Sequence, residues 1–346
     1  MARVGSAAMT VLLLAMLSVA GLQGVVAGTC QASDNAALTA FKKGITSDPT
    51  GILGNWGPSV DCCSWYNVVC NSQGYVTSLN TRPDPAFDDS TIYLTGTISS
   101  ALGNLKYLTY LDLSSMKKLS GSMPSSIGNL EMLTHLDLRT NQLTGSIPSS
   151  YGSLTKLNWL SLGDNLVSGS IPSQLGNIGS SLQYLYLGGC KLSGSIPASL
   201  YTLSGLTGFY LNSNSLSGGI SSSVGNFGQL TNLALDHNNL NGPIPSTIGN
   251  LKNLGYFDVS FNELSGPIPS SLGDCTGLYH LTVDDNMLSG SIPQSLANLL
   301  NYIYVSFANN KLTGQIPQGK GFANLTASAF SGNPGLCGAP LAPCAR

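Results

Sequence analysis

The stretch LTHLDLRTNQLTGSIPSSYGSLTK, residues 133–156, decides how this chain folds, because it returns along most of the sequence. Its first apolar residue recurs at steps of 24 residues, with two steps of 25. The copies begin at Leu108, Leu133, Leu157, Leu182, Leu206, Leu230, Leu254, Leu278 and Tyr302. An irregular first copy begins at Val76, so we expect about ten repeats over residues 76–318. Self-similarity at such a period predicts a solenoid, in which each copy packs on its neighbours.

Each copy combines a strand-like segment with a turn. Apolar and polar residues alternate in LTHLDL, which is typical of a strand with one buried side. Most copies then have an asparagine such as Asn141, which can bond backbone groups inside the coil, and Cys190 takes this position once. Burying an apolar side chain gives about 1.5–3 kcal/mol, whereas ordering each residue costs about 1–2 kcal/mol. One copy cannot fold alone, so we predict an α/β repeat fold whose stacked copies form a parallel sheet.

Residues 1–27 have the pattern of a secretory signal peptide. Arg3 precedes an apolar stretch from Val11 to Leu17, and small residues lead up to Ala27. An uncleaved membrane anchor is the alternative, but Ser18 interrupts the apolar run before the ~20 residues that a span needs. The sequence has no apolar tail after the repeats either. We therefore expect a secreted protein without a membrane anchor.

The cysteines indicate capped ends. We assign residues 28–75 to an N-terminal cap and residues 319–346 to a C-terminal cap. Because adjacent Cys62 and Cys63 are poor partners for each other, we favour the pairs Cys30 with Cys62 and Cys63 with Cys70, and the swapped pairing is the alternative. Two repeat cysteines lie three copies apart, too far to be bonded, and are expected to be free and buried. The predicted disulfide cysteines are Cys30, Cys62, Cys63, Cys70, Cys337 and Cys344, and the free ones are Cys190 and Cys275.

Composition and motifs argue against several functions. Charged residues are 9% of the chain and the net charge is -2, so nucleic acid and anionic membranes are not expected partners. His135, His237 and His280 lie in separate copies without a cysteine pair beside them, which predicts no metal site. The chain has no G-x-S-x-G motif and no buried base for its many serines. We therefore expect neither a cofactor nor a catalytic site, and the chain is interpreted as a non-enzymatic binding protein.

Three segments carry a family resemblance. The run from Cys30 through DNAALTAFKKGITSDPTGILGNW to Cys70 resembles the N-terminal module of plant leucine-rich-repeat proteins. The motif L-x-G-x-I-P in most copies is similar to their extracellular subclass. The segment GQIPQGKGFANLTASAFSGNPGLCGAPLAPC, residues 314–344, resembles the endings of polygalacturonase-inhibiting proteins and of receptor-like ectodomains, although those inhibitors usually have four cysteines here. The resemblance implies a right-handed leucine-rich-repeat solenoid with a concave parallel sheet and disulfide caps.

Strand side chains that alternate with the buried leucines should face a partner on the concave side. Trp159 and Tyr184 occupy matching positions on adjacent strands, as do Tyr186 and Tyr210, and Gly208 beside them should leave an open notch. Such aromatic residues are enriched in interfaces, but the alternative is that they only pack against one another. The candidate protein-binding residues are Tyr110, His135, Asp137, Arg139, Trp159, Tyr184, Tyr186, Tyr210, Asp236, Tyr256, Asp258, His280, Asp284 and Tyr304.

The aspartates among the candidate residues are not expected to have the same role. Asp137 and Asp258 lie between buried apolar residues and are expected to be mainly structural, whereas Asp236 and Asp284 occupy a later position and are better contact candidates. Together they make the face acidic, which suits a partner with a basic patch. Asn324 begins an N-x-T sequon outside the repeats and is a candidate glycosylation site.

The resemblance leaves three functions open. The first is inhibition of polygalacturonases, enzymes that degrade the plant cell wall, by a defence protein of the extracellular space or cell wall. The second is recognition or signalling through peptides or receptor ectodomains. The third, with less support, is ice binding by serine and threonine rows on the convex side. The expected partner is a protein, with cell-wall polysaccharide as a further possibility.

Overall fold

The computed structural model describes residues 28–82 and 94–345, so the expected signal peptide at 1–27 lies outside the described residues. Each copy forms one coil of a solenoid and contributes one short strand to an eleven-stranded sheet, called here the long sheet. Its first pair of strands is antiparallel and all later pairs are parallel. The strands are Val68–Cys70, Val76–Asn80, Tyr110–Asp112, His135–Asp137, Trp159–Ser161, Tyr184–Tyr186, Gly208–Tyr210, Asn232–Ala234, Tyr256–Asp258, His280–Thr282 and Tyr304–Ser306.

A second set of strands lies at the start of the L-x-G-x-I-P motif of the copies. The sequence patterns did not predict these strands. From the copy that begins at Leu108 onward, the chain turns at a residue with left-handed backbone angles after the long sheet, for example Thr140 at φ 57°, and then forms a second strand. These strands are Ile45–Ser47, Leu94–Thr97, Lys117–Ser122 and Gln142–Thr144 in a four-stranded sheet, and Ser168–Ser170, Lys191–Ser195, Ser215–Gly219, Asn239–Gly242, Glu263–Pro267, Met287–Gly290, Lys311–Gln315 and Gly335–Cys337 in an eight-stranded sheet.

Short helices close each coil after the proline. The preceding proline has extended backbone angles, as Pro148 does at φ -63° and ψ 128°, and cannot continue a strand. Where Ser99 and Ser221 replace it, the serine hydroxyl accepts a hydrogen bond from the backbone of the following turn. The 3-10 helices are Cys62–Ser64, Ser100–Asn104, Ser125–Asn129, Ser149–Ser153, Ser173–Ser181, Ala198–Thr202, Ser222–Asn226, Ser246–Asn250, Ser270–Asp274 and Ala327–Phe330, and the α-helices are Ala32–Lys43 and Gln294–Ala297.

Asparagine side chains bond the interior of consecutive coils. Asn238 Nδ2 lies 3.0 Å from the carbonyl oxygen of Leu211 in the preceding copy and 3.1 Å from that of Leu235 in its own copy. Its Oδ1 accepts from the Leu216 backbone nitrogen at 2.9 Å. Repeated along the chain, this pattern satisfies backbone groups that the leucine core could not.

The N-terminal cap closes the first coil. Trp56 and Trp65 stack at 5.0 Å between ring centroids and are buried. Helix Ala32–Lys43 buries Leu38 and Phe41, and Ile45 lies after the helix in a short strand. The disulfides join the pairs favoured from the sequence, namely Cys30 with Cys62, Cys63 with Cys70, and Cys337 with Cys344.

Two cysteines are free, and one of them departs from expectation. Cys275 is buried as predicted, but Cys190 is only half-buried. Its Sγ lies 3.7 Å from the Leu162 carbonyl oxygen, which is where an asparagine nitrogen lies in other copies.

Candidate functional site

The outward-facing side chains of the long sheet form rows that cross the strands. Strand register places Tyr184 opposite Trp159 and Tyr186 opposite Tyr210, which matches the pairs derived from the sequence. The same register places His135 opposite both Tyr110 and Trp159. Neighbouring strands are about 4.8 Å apart, so aromatic side chains in one row must meet.

The rings of the first row stack on one another. We call Tyr110, His135, Trp159 and Tyr184 the first aromatic stack. Its ring centroids are 4.1 Å apart from Tyr110 to His135, 5.5 Å from His135 to Trp159, and 3.8 Å from Trp159 to Tyr184, with interplanar angles of 16° or less. All four side chains are half-buried. Because neighbouring rings cover one another's faces, these faces are closed to a partner.

The expected notch at Gly208 is closed, and that prediction was wrong. A Cβ built on Gly208 would lie 2.7 Å from Tyr210 Cε2 and 2.9 Å from Tyr184 Cδ2, so the two rings lean over the glycine. Their centroids are 5.1 Å apart. Tyr186 likewise lies against Gly163, and its hydroxyl donates to Asp164 Oδ2 at 2.8 Å. The glycines therefore seat the tyrosines and do not open a pocket.

A second aromatic stack, Tyr256, His280 and Tyr304, occupies the later copies. Its ring centroids are 4.1 Å and 5.2 Å apart. Tyr256 donates to Asp258 Oδ2 at 3.3 Å, and Ser260 Oγ donates to Asp258 Oδ1 at 2.7 Å. Burial raises the pKa of Asp258, but hydrogen bonds from His280 and Ser260 outweigh it, so the net pKa lies below its usual range. This carboxylate has a structural hydrogen-bonding role, in line with its position in the repeat.

Other acidic candidates lie in different surroundings. Asp236 Oδ2 is 3.0 Å from His237 Nδ1, and burial together with Asp258 raises the pKa of Asp236. Burial raises the pKa of Asp284 to about 6. Its buried Oδ1 has no hydrogen-bond partner among the residues that the structure describes. The side of the sheet that holds these two carboxylates therefore favours a cationic contact.

The sequence analysis missed one group of potential metal-ligating side chains. One potential ligand atom from each of Asp112, His135 and Asp137 lies within 4.8 Å of the others. Burial lowers the pKa of His135 to about 4, so its imidazole is neutral at pH 7. Arg139 Nε lies 3.4 Å from Asp137 Oδ2 and is the charged partner of that carboxylate. No short motif signals this cluster, because Asp112 comes from the neighbouring copy.

The second sheets carry a row of small polar side chains at the middle position of L-x-G. Ten successive copies contribute a hydroxyl or amide group that is exposed or half-buried. The next outward row is broken at Gly219, Pro243 and Pro267. The continuous row, called here the hydroxyl row, comprises Thr95, Ser120, Thr144, Ser168, Ser193, Ser217, Asn241, Ser265, Ser289 and Thr313.

This chain belongs to the plant leucine-rich-repeat proteins. Family models match a leucine rich repeat N-terminal domain at residues 31–71, a leucine-rich-repeat region at 93–217, and single leucine-rich repeats at 229–251, 253–275 and 277–299. The stacked parallel strands and the capping disulfides are the fold that this family implies.

Solved structures resemble the chain over most of its length. A plant ice-binding protein is 30% identical with a TM-score of 0.78, and the match covers 92% of this chain and 99% of that one. The ectodomain of the Arabidopsis receptor kinase HAESA, in complex with an N-terminally extended IDA peptide hormone, is 33% identical with a TM-score of 0.73. That match covers 87% of this chain and 49% of the ectodomain.

Curated relatives match over shorter stretches. Receptor-like protein EIX2 of Solanum lycopersicum is 34% identical over 89 residues, which are 25% of this chain and 9% of that protein. The DNA damage-repair/toleration protein DRT100 of Arabidopsis thaliana is 34% identical over 98 residues, or 26% of each chain. The chain thus spans about a quarter or less of these relatives' lengths. Receptor ectodomain relatives and disulfides point to an extracellular protein, and no helix among residues 28–82 and 94–345 could cross a membrane.

Proposed function

We propose that this protein is a non-catalytic binding protein that holds a peptide or protein segment along its long sheet. The observation that carries the proposal is the first aromatic stack and its continuation through Tyr210, because adjacent strands present these rings side by side. Tyrosine and tryptophan lose little conformational freedom on binding and are enriched at interface hot spots. Stacking also holds the rings in place before a partner arrives, which lowers the entropic cost of association.

The ring geometry favours protein over polysaccharide as the partner. A sugar ring packs on an exposed aromatic face, but the faces of Trp159 and Tyr184 cover each other at 3.8 Å. What remains for a partner is ring edges and hydroxyls. Burial raises the pKa of Tyr110 and Tyr184 to about 12, so these hydroxyls are neutral at physiological pH and can donate as well as accept. Backbone amides and carbonyls of a peptide match such groups.

The partner segment should carry basic residues toward the later copies. Asp236 and Asp284 face the same side as the second aromatic stack, and each has a pKa raised by burial. A lysine or arginine brought beside them would stabilise the charged carboxylates. The proposed contact set is Tyr110, His135, Asp137, Arg139, Trp159, Tyr184, Tyr186, Tyr210, Asp236, Tyr256, Asp258, His280, Asp284 and Tyr304.

Two kinds of partner are compatible with this surface. A peptide ligand is supported by the likeness to HAESA, a receptor whose ectodomain holds a peptide hormone. A polygalacturonase of a plant pathogen is supported by the sequence resemblance of the C-terminal segment to polygalacturonase inhibitors, and it would place the protein in the cell wall. We favour the peptide mode, because the aromatic stacks follow a line across the strands as an extended segment would.

Binding measurements with matched variants test the proposal. The purified chain is titrated with a library of extended peptides containing lysine and arginine, and separately with a panel of fungal polygalacturonases scored by residual pectin hydrolysis. We expect Tyr184→Ala and Tyr210→Ala each to weaken capture roughly tenfold or more, a loss typical of hot-spot tyrosines. Tyr66→Ala, which removes a tyrosine that is 59% exposed in the N-terminal cap, should leave affinity unchanged. Equal affinity in all three variants would contradict the proposal.

Ice binding is the second candidate, favoured by one observation. A plant ice-binding protein matches 99% of its own length to this chain, whereas the receptor ectodomain matches about half of its length. The hydroxyl row would then be the ice-facing surface, since its side chains repeat about every 4.8 Å along the stacked strands. Inhibition of ice recrystallisation should be lost in a Ser193→Lys, Ser217→Lys double variant and kept in Tyr184→Ala. An inactive wild-type protein would remove this candidate.

A further inference from the structure

The cluster formed by Asp112, His135 and Asp137 is set apart from the rest of the long sheet by its burial. Asp112 and Asp137 are each 1% exposed. They lie opposite each other on neighbouring strands, and His135 precedes Asp137 on the same strand. Tyr110 and Trp159 stack on the two faces of the imidazole and fix its plane. Two buried carboxylates and an imidazole therefore converge at one place on the long sheet.

One polar atom of the cluster lacks a partner. His135 Nε2 is buried and makes no hydrogen bond to any part of the chain that the structure describes. Ser161 is fully buried and lies opposite Asp137 on the next strand. Buried polar atoms normally have partners, so the imidazole nitrogen of His135 points to a missing ligand.

We propose that Asp112, His135 and Asp137 bind a divalent first-row transition-metal ion. Imidazole nitrogen and carboxylate oxygen are the ligands that zinc accepts, at about 2.0–2.2 Å. In tetrahedral coordination the ligand atoms of one ion are therefore about 3.4 Å apart. The ligand atoms here lie within 4.8 Å of one another, so the side chains must move closer together to share an ion.

A matched cluster six copies later shows what the proposed site lacks. His280 occupies the position of His135, and Asp258 that of Asp112, but Thr282 replaces the second carboxylate. There Nε2 of His280 is 3.2 Å from Thr282 Oγ1 and 3.7 Å from Asp258 Oδ2. The imidazole nitrogen is thus satisfied by the protein. At His135 the position of Thr282 is taken by a second carboxylate, Asp137, and Nε2 has no hydrogen-bond partner among the described residues.

Arg139 would compete with the ion for the Asp137 carboxylate. Its Nε lies 3.4 Å from Asp137 Oδ2, and its backbone nitrogen donates to Asp137 Oδ1 at 3.2 Å. A bound ion would displace the Arg139 side chain from Asp137. Removing this guanidinium should therefore tighten metal binding.

Zinc titration of the full chain by calorimetry, with cobalt absorption as a second readout, tests the site. The wild type should bind one ion per chain. His135→Phe keeps a stacked ring but loses the ligand nitrogen, and Asp112→Asn weakens the second ligand, so each should lower affinity at least tenfold. His280→Phe, the matched control, should bind like the wild type, and Arg139→Gln should bind more tightly. Circular dichroism verifies that each variant is folded.

Four results would overturn the proposal. The first is no zinc binding by the wild type at millimolar concentration. The second is equal affinity in His135→Phe, which would place the ion elsewhere, for example on the free thiols. The third is an equal loss in His280→Phe. The fourth is weaker binding in Arg139→Gln, since an ion on Asp137 must compete with that side chain. None of these outcomes bears on peptide capture, so the two proposals fail separately.

Discussion

Single side chains at the asparagine position decide how well each coil is bonded to the next. Asn165 Nδ2 lies within 3.0 Å of three carbonyl oxygens, including that of Leu138 in the preceding copy, and its Oδ1 accepts from the Leu143 backbone nitrogen. Cys190 replaces this set with a thiol 3.7 Å from one carbonyl. Burial raises the pKa of that thiol to about 11, so it is a neutral and weak donor.

Replacing Cys190 with asparagine should stabilise the protein. The amide would restore donors to carbonyl groups that the thiol serves poorly, each net hydrogen bond being worth about 0.5–1.5 kcal/mol. We expect Cys190→Asn to raise the free energy of unfolding by about 1–2 kcal/mol, measured by urea denaturation. The reciprocal change Asn165→Cys should lower it by a similar amount. A lower stability of Cys190→Asn would show that the asparagine bonds are not the limiting contacts in this coil.

At the residue scale the candidate site depends on glycines as much as on aromatics. Tyr184 and Tyr210 meet because Gly208 between them has no side chain. Tyr186 is seated between Gly163 and Gly188 in the same way. Small residues thus fix the directions of the rings that we propose as contacts, and a methyl group at these positions would tilt the rings.

The 3-10 helices are packed on each other through glycine. A Cβ added at Gly152 would lie 2.1 Å from the backbone oxygen of Gln174 in the next helix. Gly128 has the same relation to Ser150, at 2.4 Å. Because the atom that an added Cβ would meet belongs to the backbone, the two coils would have to move apart. The strands of the same coils would then also have to separate, since each coil contributes to both helices and sheets. Close stacking of these helices therefore sets the pitch of the solenoid.

Gly152→Ala should destabilise the protein, although alanine is the better helix former. The clash outweighs a propensity gain of about 1 kcal/mol, so we expect a net loss of about 2–3 kcal/mol, as overpacking in a core gives. Gly228→Ala is the matched control, because an added Cβ there meets no described atom within 4 Å. Guanidinium denaturation of both variants measures the difference. If the two variants are equally stable, helix stacking does not set the coil spacing.

On the scale of the whole molecule, charge is sparse and unevenly placed. The net charge is only -2, yet Asp236, Asp258 and Asp284 come from three successive copies of the long sheet. Burial raises the pKa of Asp284 to about 6. A carboxyl group whose pKa is raised by folding stabilises the folded state when protonated, and this contribution is lost as the pH rises through the folded pKa.

Asp284→Asn should therefore stabilise the protein at neutral pH. The raised pKa makes the charged carboxylate unfavourable above about pH 6, and solvent contact limits the effect to about 1 kcal/mol. The advantage of the variant should shrink between pH 6 and pH 4, where the wild-type carboxyl is protonated in the folded state. Thermal unfolding at pH 7.5, 6 and 4.5 measures it. A gain that is independent of pH would exclude titration of Asp284 as its cause.

The sequence by itself determined the period, the strands of the long sheet, the paired cysteines and the row positions of the aromatic residues. These features depend on local patterns: alternation marks a strand, and a step of 24 or 25 residues brings equivalent residues such as Trp159 and Tyr184 to adjacent strands. The half-buried state of Cys190 was less accessible to sequence reasoning, because it depends on which neighbours cover the position.

Tertiary structure alone decided how side chains from neighbouring copies share space. Whether Gly208 opens a notch depends on the directions of Tyr184 and Tyr210, and these are set by packing. Asp112 and His135 come from two different strands, so only stacking of the copies brings them together. The second sheets likewise form only when hydrogen bonds join neighbouring coils. A repeat period specifies which backbone positions become neighbours, but side-chain directions and burial follow from contacts that form only when the copies are stacked.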